Sequence, residues 1–224
     1  MFKNTAVKYS FMSLLMILML FMGAGCSETK EEEASSGMDY GGTVIAQGKN
    51  FTVTEEELQK SLDFFKFAYS YQTGGELYVD MEEEVRGSLL KSRIDVKSMY
   101  YYATGEKGFT VEDEKIEEMI KANVQNSKTQ DGDYFEKMLE FRGMSEEEYI
   151  DYMLTDKMSI MTVIVNAFIE QEKSEYEKTE DPDTWEDYYN SLVKEVTAKE
   201  EVKEIEAPED ADSSGQPEQS VQSE

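Results

Sequence analysis

The 224-residue chain contains no histidine and only one cysteine, Cys26. Without histidine, catalytic triads that use an imidazole are impossible, and a lone cysteine excludes an intramolecular disulfide and a zinc site built on histidine and cysteine. The sequence also lacks a glycine-rich phosphate loop and a nucleophile elbow. Asp131 and Asp133 are the only trace of a calcium-binding loop. We therefore predict no enzymatic activity, no cofactor and no metal site.

Basic residues are scarce as well, since 22 lysines and arginines stand against 49 aspartates and glutamates, for a net charge of −27. Such a charge repels the phosphates of nucleic acid and the headgroups of anionic lipids. Nucleic acid is therefore excluded as a partner. Most of the carboxylates are expected to form solvated faces of helices, which keeps the protein soluble.

The longest apolar run lies at the N-terminus. Two lysines precede an apolar segment from Phe11 to Met22, and small residues lead from there to Cys26. A basic start, an apolar core and small residues before a cut site are typical of an export signal. The run is shorter than the roughly 20 residues that a membrane-spanning helix needs. We predict a signal peptide over residues 1–25.

The residues before Cys26 resemble a lipobox, in which the cysteine thiol receives a diacylglyceryl group and becomes the new N-terminus. Gly23 stands where such motifs usually carry leucine. The resemblance implies a lipoprotein on the outer face of the cytoplasmic membrane, anchored through Cys26, because two acyl chains suffice for stable anchoring. The alternative is an ordinary signal peptide with an incidental thiol.

Composition divides the rest of the chain into three parts. Residues 26–42 are polar and acidic and predict a flexible tether. Residues 206–224 are rich in proline, serine, glutamine and glutamate and predict a disordered acidic tail. Between them, residues 43–205 show mostly helical periodicity after a short β-prone start. We predict one mainly α-helical domain with a small N-terminal β-hairpin and a C-terminal helix that packs back on it.

Capping and turn residues predict the individual elements. Thr54 with Glu57 indicates a capping box at the start of the first helix, and Gly74 and Gly75 indicate its end. A second helix is expected over about 80–104 and a third from a cap at Thr110, followed by a loop over 126–132 and a short helix over about 134–141. A long helix is expected from the capping box of Ser145 and Glu148 to about Lys173. A last helix capped by Asp181 and a terminal strand over 202–205 complete the prediction.

Four segments carry a resemblance to a known family. They are the strand, turn, strand and helix start at 44–55, the helix starts at 108–114 and 143–149, and the last helix at 185–193 followed by Val202. In this order and spacing they resemble the N-terminal chaperone domain of extracytoplasmic foldases of the SurA and PrsA type, and more distantly the chaperone part of trigger factor. The resemblance implies a fold like that domain over residues 43–205.

The chain departs from that family at one place. The foldases carry a parvulin isomerase domain between the long helix and the last helix, whereas here only the segment from Glu172 to Asp181 separates them. A parvulin site also commonly uses histidine. The resemblance therefore implies the chaperone module without prolyl isomerase activity.

Two lines of apolar residues are the candidate client-binding surfaces. The first helix carries Phe64, Phe67 and Tyr71 beside its core stripe, and the long helix carries a similar second line that includes Met158 and Met161. Aromatic and methionine side chains suit variable contacts with unfolded chains. The alternative is that both lines complete the core, since a helix that is apolar nearly all round is usually buried.

The function expected from these observations is a membrane-anchored chaperone that binds unfolded or partly folded exported polypeptides without ATP. The alternative is a structural or adaptor lipoprotein that holds one specific folded partner with the same helices. The first would bind many clients with little sequence preference, and the second a single stoichiometric protein. The sequence leaves the oligomeric state open.

Overall fold

The computed structural model describes residues 42–179 and 184–205. The predicted signal peptide, the predicted lipidation of Cys26, nearly all of the tether and the acidic tail lie outside these ranges, so those predictions stay predictions.

Seven α-helices and three short strands make up the described chain, which confirms the prediction of a mainly helical fold with an N-terminal hairpin and a C-terminal helix. They are β1 (Val44–Gln47), β2 (Thr52–Thr54), α1 (Glu55–Thr73), α2 (Val79–Tyr101), a π-helical turn (Tyr102–Glu106), α3 (Asp113–Gln130), α4 (Gly132–Arg142), α5 (Glu146–Thr155), α6 (Lys157–Tyr176), α7 (Trp185–Lys199) and β3 (Lys203–Glu204).

The three strands form one antiparallel sheet in the order β2-β1-β3. Ala46 in the central strand pairs with Val53 on one side and with Glu204 on the other. Gly48 lies in the turn between β1 and β2, where a Cβ atom would lie 3.0 Å from the ring of Phe51 and would require that ring to shift by a few tenths of an ångström. The sheet thus joins the beginning of the domain to its end, and the expected terminal strand is present.

The first helix begins and ends as predicted, but its capping box is only half formed. The Thr54 hydroxyl accepts a hydrogen bond from the backbone N–H of Glu57 at 3.3 Å, and Gly74 ends the helix in the left-handed conformation with φ 69°. The Glu57 carboxylate does not accept the second hydrogen bond of a capping box, from the backbone N–H of Thr54. The side chain is buried and its carboxylate points to Lys97 of α2, so a tertiary ion pair replaces the local bond.

The middle of the chain differs from the sequence prediction in two places. Helix α3 is not capped by Thr110; it begins at Asp113, after an extended Glu112. It also continues to Gln130 through the segment expected to be a loop, beyond Val124, the last residue of its buried stripe of Ile116, Ile120 and Val124. The break is a single residue, Asp131, whose carboxylate accepts from the N–H of Tyr134 at 2.9 Å and starts α4.

The predicted long helix is two helices. The capping box of Ser145 and Glu148 forms as expected, but α5 stops at Thr155 and α6 leaves at an angle of 75°. Asp156 causes the break, because its buried carboxylate accepts hydrogen bonds from the N–H and the hydroxyl of Ser159, at 2.8 and 2.7 Å. A new N-cap in the middle of an apolar periodic segment therefore overrides the periodicity.

The last helix, α7, begins at Trp185 and is capped by Thr184, whose hydroxyl accepts from the N–H of Asp187 at 3.2 Å, so the prediction of a cap at Asp181 is wrong. It packs against α2, and its residues Leu192 and Val196 join Phe168 of α6 in a second hydrophobic cluster beside the main core. This return of α7 onto the preceding helices confirms the prediction that the C-terminal helix packs back on the domain.

Within the described ranges, no single helix is long and apolar enough to cross a membrane, and α5 with α6 passes that test of length and composition only as a bent pair.

Candidate binding groove

The structure corrects three of the five predicted client-binding residues. Phe64, Met158 and Met161 are buried, with 2%, 3% and 1% of their surface exposed. Phe64 lies beneath the guanidinium group of Arg142, 4.8 Å from its ring centre, and the two methionines belong to buried faces of α6. These side chains therefore pack the interior and have no surface to offer a client.

Phe67 and Tyr71 are more accessible, but they belong to an aromatic seam between α1 and α4. The Phe67 ring stacks on Phe141 at 4.6 Å, and Tyr71 meets Tyr134 edge to face at 5.0 Å. Burial raises the pKa of Tyr134 to about 12. Tyr71 and Phe141 each show more than a third of their surface. These ring contacts pack α1 and α4 against each other.

An open cleft lies between α2 and α7. It has a volume of about 1070 Å³ and reaches from the middle of α2 to β3. It is lined by Gly87, Leu90, Lys91, Ser92, Ile94, Asp95, Val96, Met99, Val165, Tyr189, Asn190, Val193, Lys194, Thr197, Ala198, Glu201, Val202 and Glu204. We call it the α2–α7 groove.

The interior of the groove is apolar and its rim is charged. Ile94 and Met99 of α2 and Val165 of α6 are buried beneath it, whereas Leu90 and Val193 are only partly buried and flank the opening. On the rim, Lys91 pairs with Asp95, and Asp95 also accepts a hydrogen bond from Thr197 of α7 at 3.2 Å. Apolar floors with few, well-placed polar groups are typical of binding sites.

A glycine in the middle of α2 keeps one end of the groove open. Gly87 is exposed, its φ is not positive, and a Cβ atom added there would meet nothing within 4 Å. Glycine inside a helix costs about 0.5–1 kcal/mol relative to alanine. Neither backbone conformation nor tight packing requires glycine at this position, so a larger side chain there would extend into the open space of the groove.

The far end of the groove is fixed by the last residues of the domain. The buried carboxylate of Glu200 accepts from the backbone N–H and the side-chain amide of Asn50, at 3.1 and 2.9 Å, and the Glu200 carbonyl accepts from the N–H of Lys49 at 3.0 Å. These bonds hold the end of α7 against the β1–β2 turn. Val202 and Glu204 are thereby positioned beside the groove.

A second polar feature lies behind the groove, on the opposite face of α2. Glu57 of α1 and Arg93 and Lys97 of α2 are all buried. Lys97 Nζ lies 2.8 Å from Glu57 Oε2 and donates to the Thr52 carbonyl at 2.6 Å, while the Arg93 guanidinium donates to the Ser61 hydroxyl. This cluster joins α1, α2 and β2 to one another.

By their helical spacing alone, the groove residues Leu90, Ile94 and Val96 are expected to belong to a packed apolar face of α2. Two signals in the sequence point to the groove: the apolar arc of α2 is broader than one packed face, and Gly87 interrupts an otherwise glycine-free helix. Neither signal shows which helix stands opposite, because α7 lies about a hundred residues further along the chain.

Comparison with protein-family models, with curated proteins and with solved structures found no match to this chain. In the part of the chain that the structure describes, no group of three or more acidic, histidine or cysteine side chains is placed to hold a metal ion.

Proposed function

We propose that the protein is a membrane-anchored extracytoplasmic chaperone that binds unfolded exported polypeptides in the α2–α7 groove, without ATP and without prolyl isomerase activity. The anchor in this proposal is the lipidated Cys26. The groove is the observation that carries the proposal, because it is an open apolar surface on a strongly acidic protein.

The shape and lining of the groove favour a polypeptide ligand. Its apolar residues lie along one side of α2 and one side of α7, so contact extends along the groove and is not concentrated at a single deep point. Its volume, about 1070 Å³, is slightly larger than the roughly 300–1,000 Å³ of small-molecule sites. A long apolar trough with charges only at its rim selects for apolar side chains and not for one chemical group.

The resemblance to SurA- and PrsA-type foldases supports the same proposal. The element order that suggested it includes a hairpin, a set of helices and a closing helix with a strand after it, and the chain has these elements in that order. The closing helix α7 forms one wall of the groove. In those foldases the isomerase domain lies between the counterparts of α6 and α7, and here residues 177–184 connect these two helices.

The net charge of −27 fits the proposed role. An exposed apolar groove tends to promote self-association, and like charges on the surrounding surface oppose it. The same charge favours unfolded clients of neutral or basic character over acidic ones through long-range attraction.

The test is suppression of aggregation of a chemically denatured model protein by the full chain in lipid nanodiscs, with empty nanodiscs as the blank. We expect suppression by the native chain at a several-fold molar excess. Gly87→Trp, which places a large side chain at one end of the groove, is expected to lose most of it, and Gly87→Ala, which adds only a methyl group at the same position, is expected to keep it.

No suppression by the native chain would contradict the proposal. Equal suppression by the native chain and by Gly87→Trp would move the client site away from the groove. A single stoichiometric partner that co-purifies with the native chain and is lost in Gly87→Trp would instead favour an adaptor that holds one folded protein.

A further inference from the structure

We propose that the groove binds its client as an extended segment that adds a fourth strand to the sheet at the outer edge of β3. This inference rests on the proposed function, because it states how the α2–α7 groove holds an unfolded polypeptide. The observation behind it is a difference between the two edges of the sheet: the β2 edge is covered, and the β3 edge is open.

The β2 edge is covered. Helix α2 packs against β2, and Lys97 donates from its buried ammonium group to the Thr52 carbonyl at 2.6 Å. A covered edge strand cannot accept a further strand, which is how natural sheets avoid unwanted pairing.

The β3 edge is open along the groove. The N–H of Ile205 donates to the Ile45 carbonyl at 2.8 Å, and in an antiparallel ladder the backbone groups of alternate residues point to opposite sides. The N–H and carbonyl of Glu204 therefore point away from β1. Within the described residues no strand pairs with that side of β3, and Val202 and Glu204 both line the groove.

The dimensions of the groove suit an extended chain. The helical rise puts Gly87 and Met99 about 18 Å apart along α2, which is the length of about five or six residues of extended chain. Side chains alternate between the two faces of a strand. A segment paired with β3 would direct every second side chain toward Leu90 and Val193 and the others toward solvent.

A client segment matches this surface better than the other available occupants. Residues 206–224, which follow β3 directly, contain six carboxylates and a single large apolar residue, Val221. That composition does not match an apolar floor. A second copy of this chain would bring a net charge of −27 toward an equal one. An unfolded exported protein offers extended segments with alternating apolar residues and no such repulsion.

The first experiment removes the backbone donor. Glu204→Pro deletes the outward N–H without touching the bonds between β3 and β1, and proline is tolerated on the open side of an edge strand. The matched control, Glu204→Gln, removes the charge but keeps the N–H. We expect the Kd for a labelled peptide of alternating valine and threonine to rise about fivefold in Glu204→Pro, the equivalent of one hydrogen bond, and to stay unchanged in Glu204→Gln.

The second experiment leaves the protein native, so it does not depend on a variant that folds. The same peptide is N-methylated at alternate amides along one edge, and in a second version along the other edge. Strand addition requires that one version binds more weakly and the other binds like the parent peptide. Equal binding of all three peptides would overturn the proposal.

The outcomes separate the two proposals. If Gly87→Trp weakens peptide binding but Glu204→Pro and both methylated peptides behave like their controls, the groove binds clients and strand addition is wrong. If the native chain binds none of the peptides and suppresses no aggregation, the proposed function fails as well. A photo-crosslinking phenylalanine analogue at Lys194, an exposed lining position of the groove, identifies the occupant: crosslinks to the peptide support the proposal, and crosslinks only to residues 206–224 or to a second copy overturn it.

Discussion

The ammonium nitrogen of Lys97 lies 2.8 Å from a carboxylate oxygen of Glu57, and 1% and 2% of the two side chains are exposed. Arg93, also buried, has a guanidinium nitrogen 3.8 Å from the other carboxylate oxygen. One carboxylate thus faces two cations between α1 and α2. Acidic residues outnumber basic ones more than two to one in the whole chain, whereas in this part of the interior the cations outnumber the carboxylates.

Glu57→Gln is expected to lower the free energy of unfolding by about 3 kcal/mol, because it removes the negative partner of two buried cations. The measurement is urea denaturation followed by circular dichroism. The control is Glu56→Gln at the exposed neighbouring position, with an expected change below about 0.5 kcal/mol. Similar losses in both variants would show that the charge of the first turn of α1 matters and the buried pair does not.

Glu200→Ala is expected to destabilise the domain by about 2 kcal/mol, because the backbone N–H and the side-chain amide of Asn50 lose their buried carboxylate acceptor. Amide hydrogen exchange of β3 should speed up more than that of α3, since the lost contact holds the C-terminal strand locally. In Glu201→Gln, which loses only an exposed ion pair with Lys49, both changes should be small. Unchanged exchange at β3 would contradict this account.

Asp156→Ala is expected to cost about 1–2 kcal/mol, because the carboxylate caps α6 through the Ser159 N–H. Asp151→Ala, at an exposed position of α5, is the control and should be nearly neutral. Thermal unfolding of the two variants gives the comparison. If Asp156→Ala were as stable as Asp151→Ala, the bend between α5 and α6 would have to be held by packing alone.

Tyr134 predicts a loss of stability in alkaline solution. Its pKa in the folded protein is raised to about 12, chiefly by burial, from an ordinary value of 10.0. The unfolded chain therefore loses this proton first, and the stabilising contribution, complete below pH 10, declines as the pH rises toward 12. Phenolate absorption should show a late-titrating tyrosine that is missing in Tyr134→Phe, and that variant should lose less stability over the same range. Identical titration curves would contradict the prediction.

Sequence reasoning predicted the helical class, the hairpin, the return of α7 and the terminal strand because each depends on local signals. Thr54, Gly74, Ser145 and Gly143 act on their own turn of chain, and the structure shows each at a helix end. The errors arose where two local signals competed. The apolar period predicts one long helix from Ser145 to about Lys173, whereas the carboxylate of Asp156 within that segment starts a new helix.

The candidate site was less predictable, because the exposure of a side chain depends on which residues pack around it and not on its residue type. Phe64 and Phe67 lie three positions apart on α1 and have the same chemistry, yet Phe64 is buried and Phe67 is only partly covered. Periodicity shows that both lie near one face of a helix. It does not show that Arg142 covers one ring and that Phe141 stacks on the other.

The sequence by itself determined which segments are helical, where most of them start and stop, and that the surface is acidic, because these properties depend on residues a few positions apart. Only the tertiary structure decided which apolar face stays open. The α2–α7 groove exists because Glu200 and β3 hold the end of the chain against the hairpin at its beginning. Such a contact between distant residues leaves no periodic mark on the sequence.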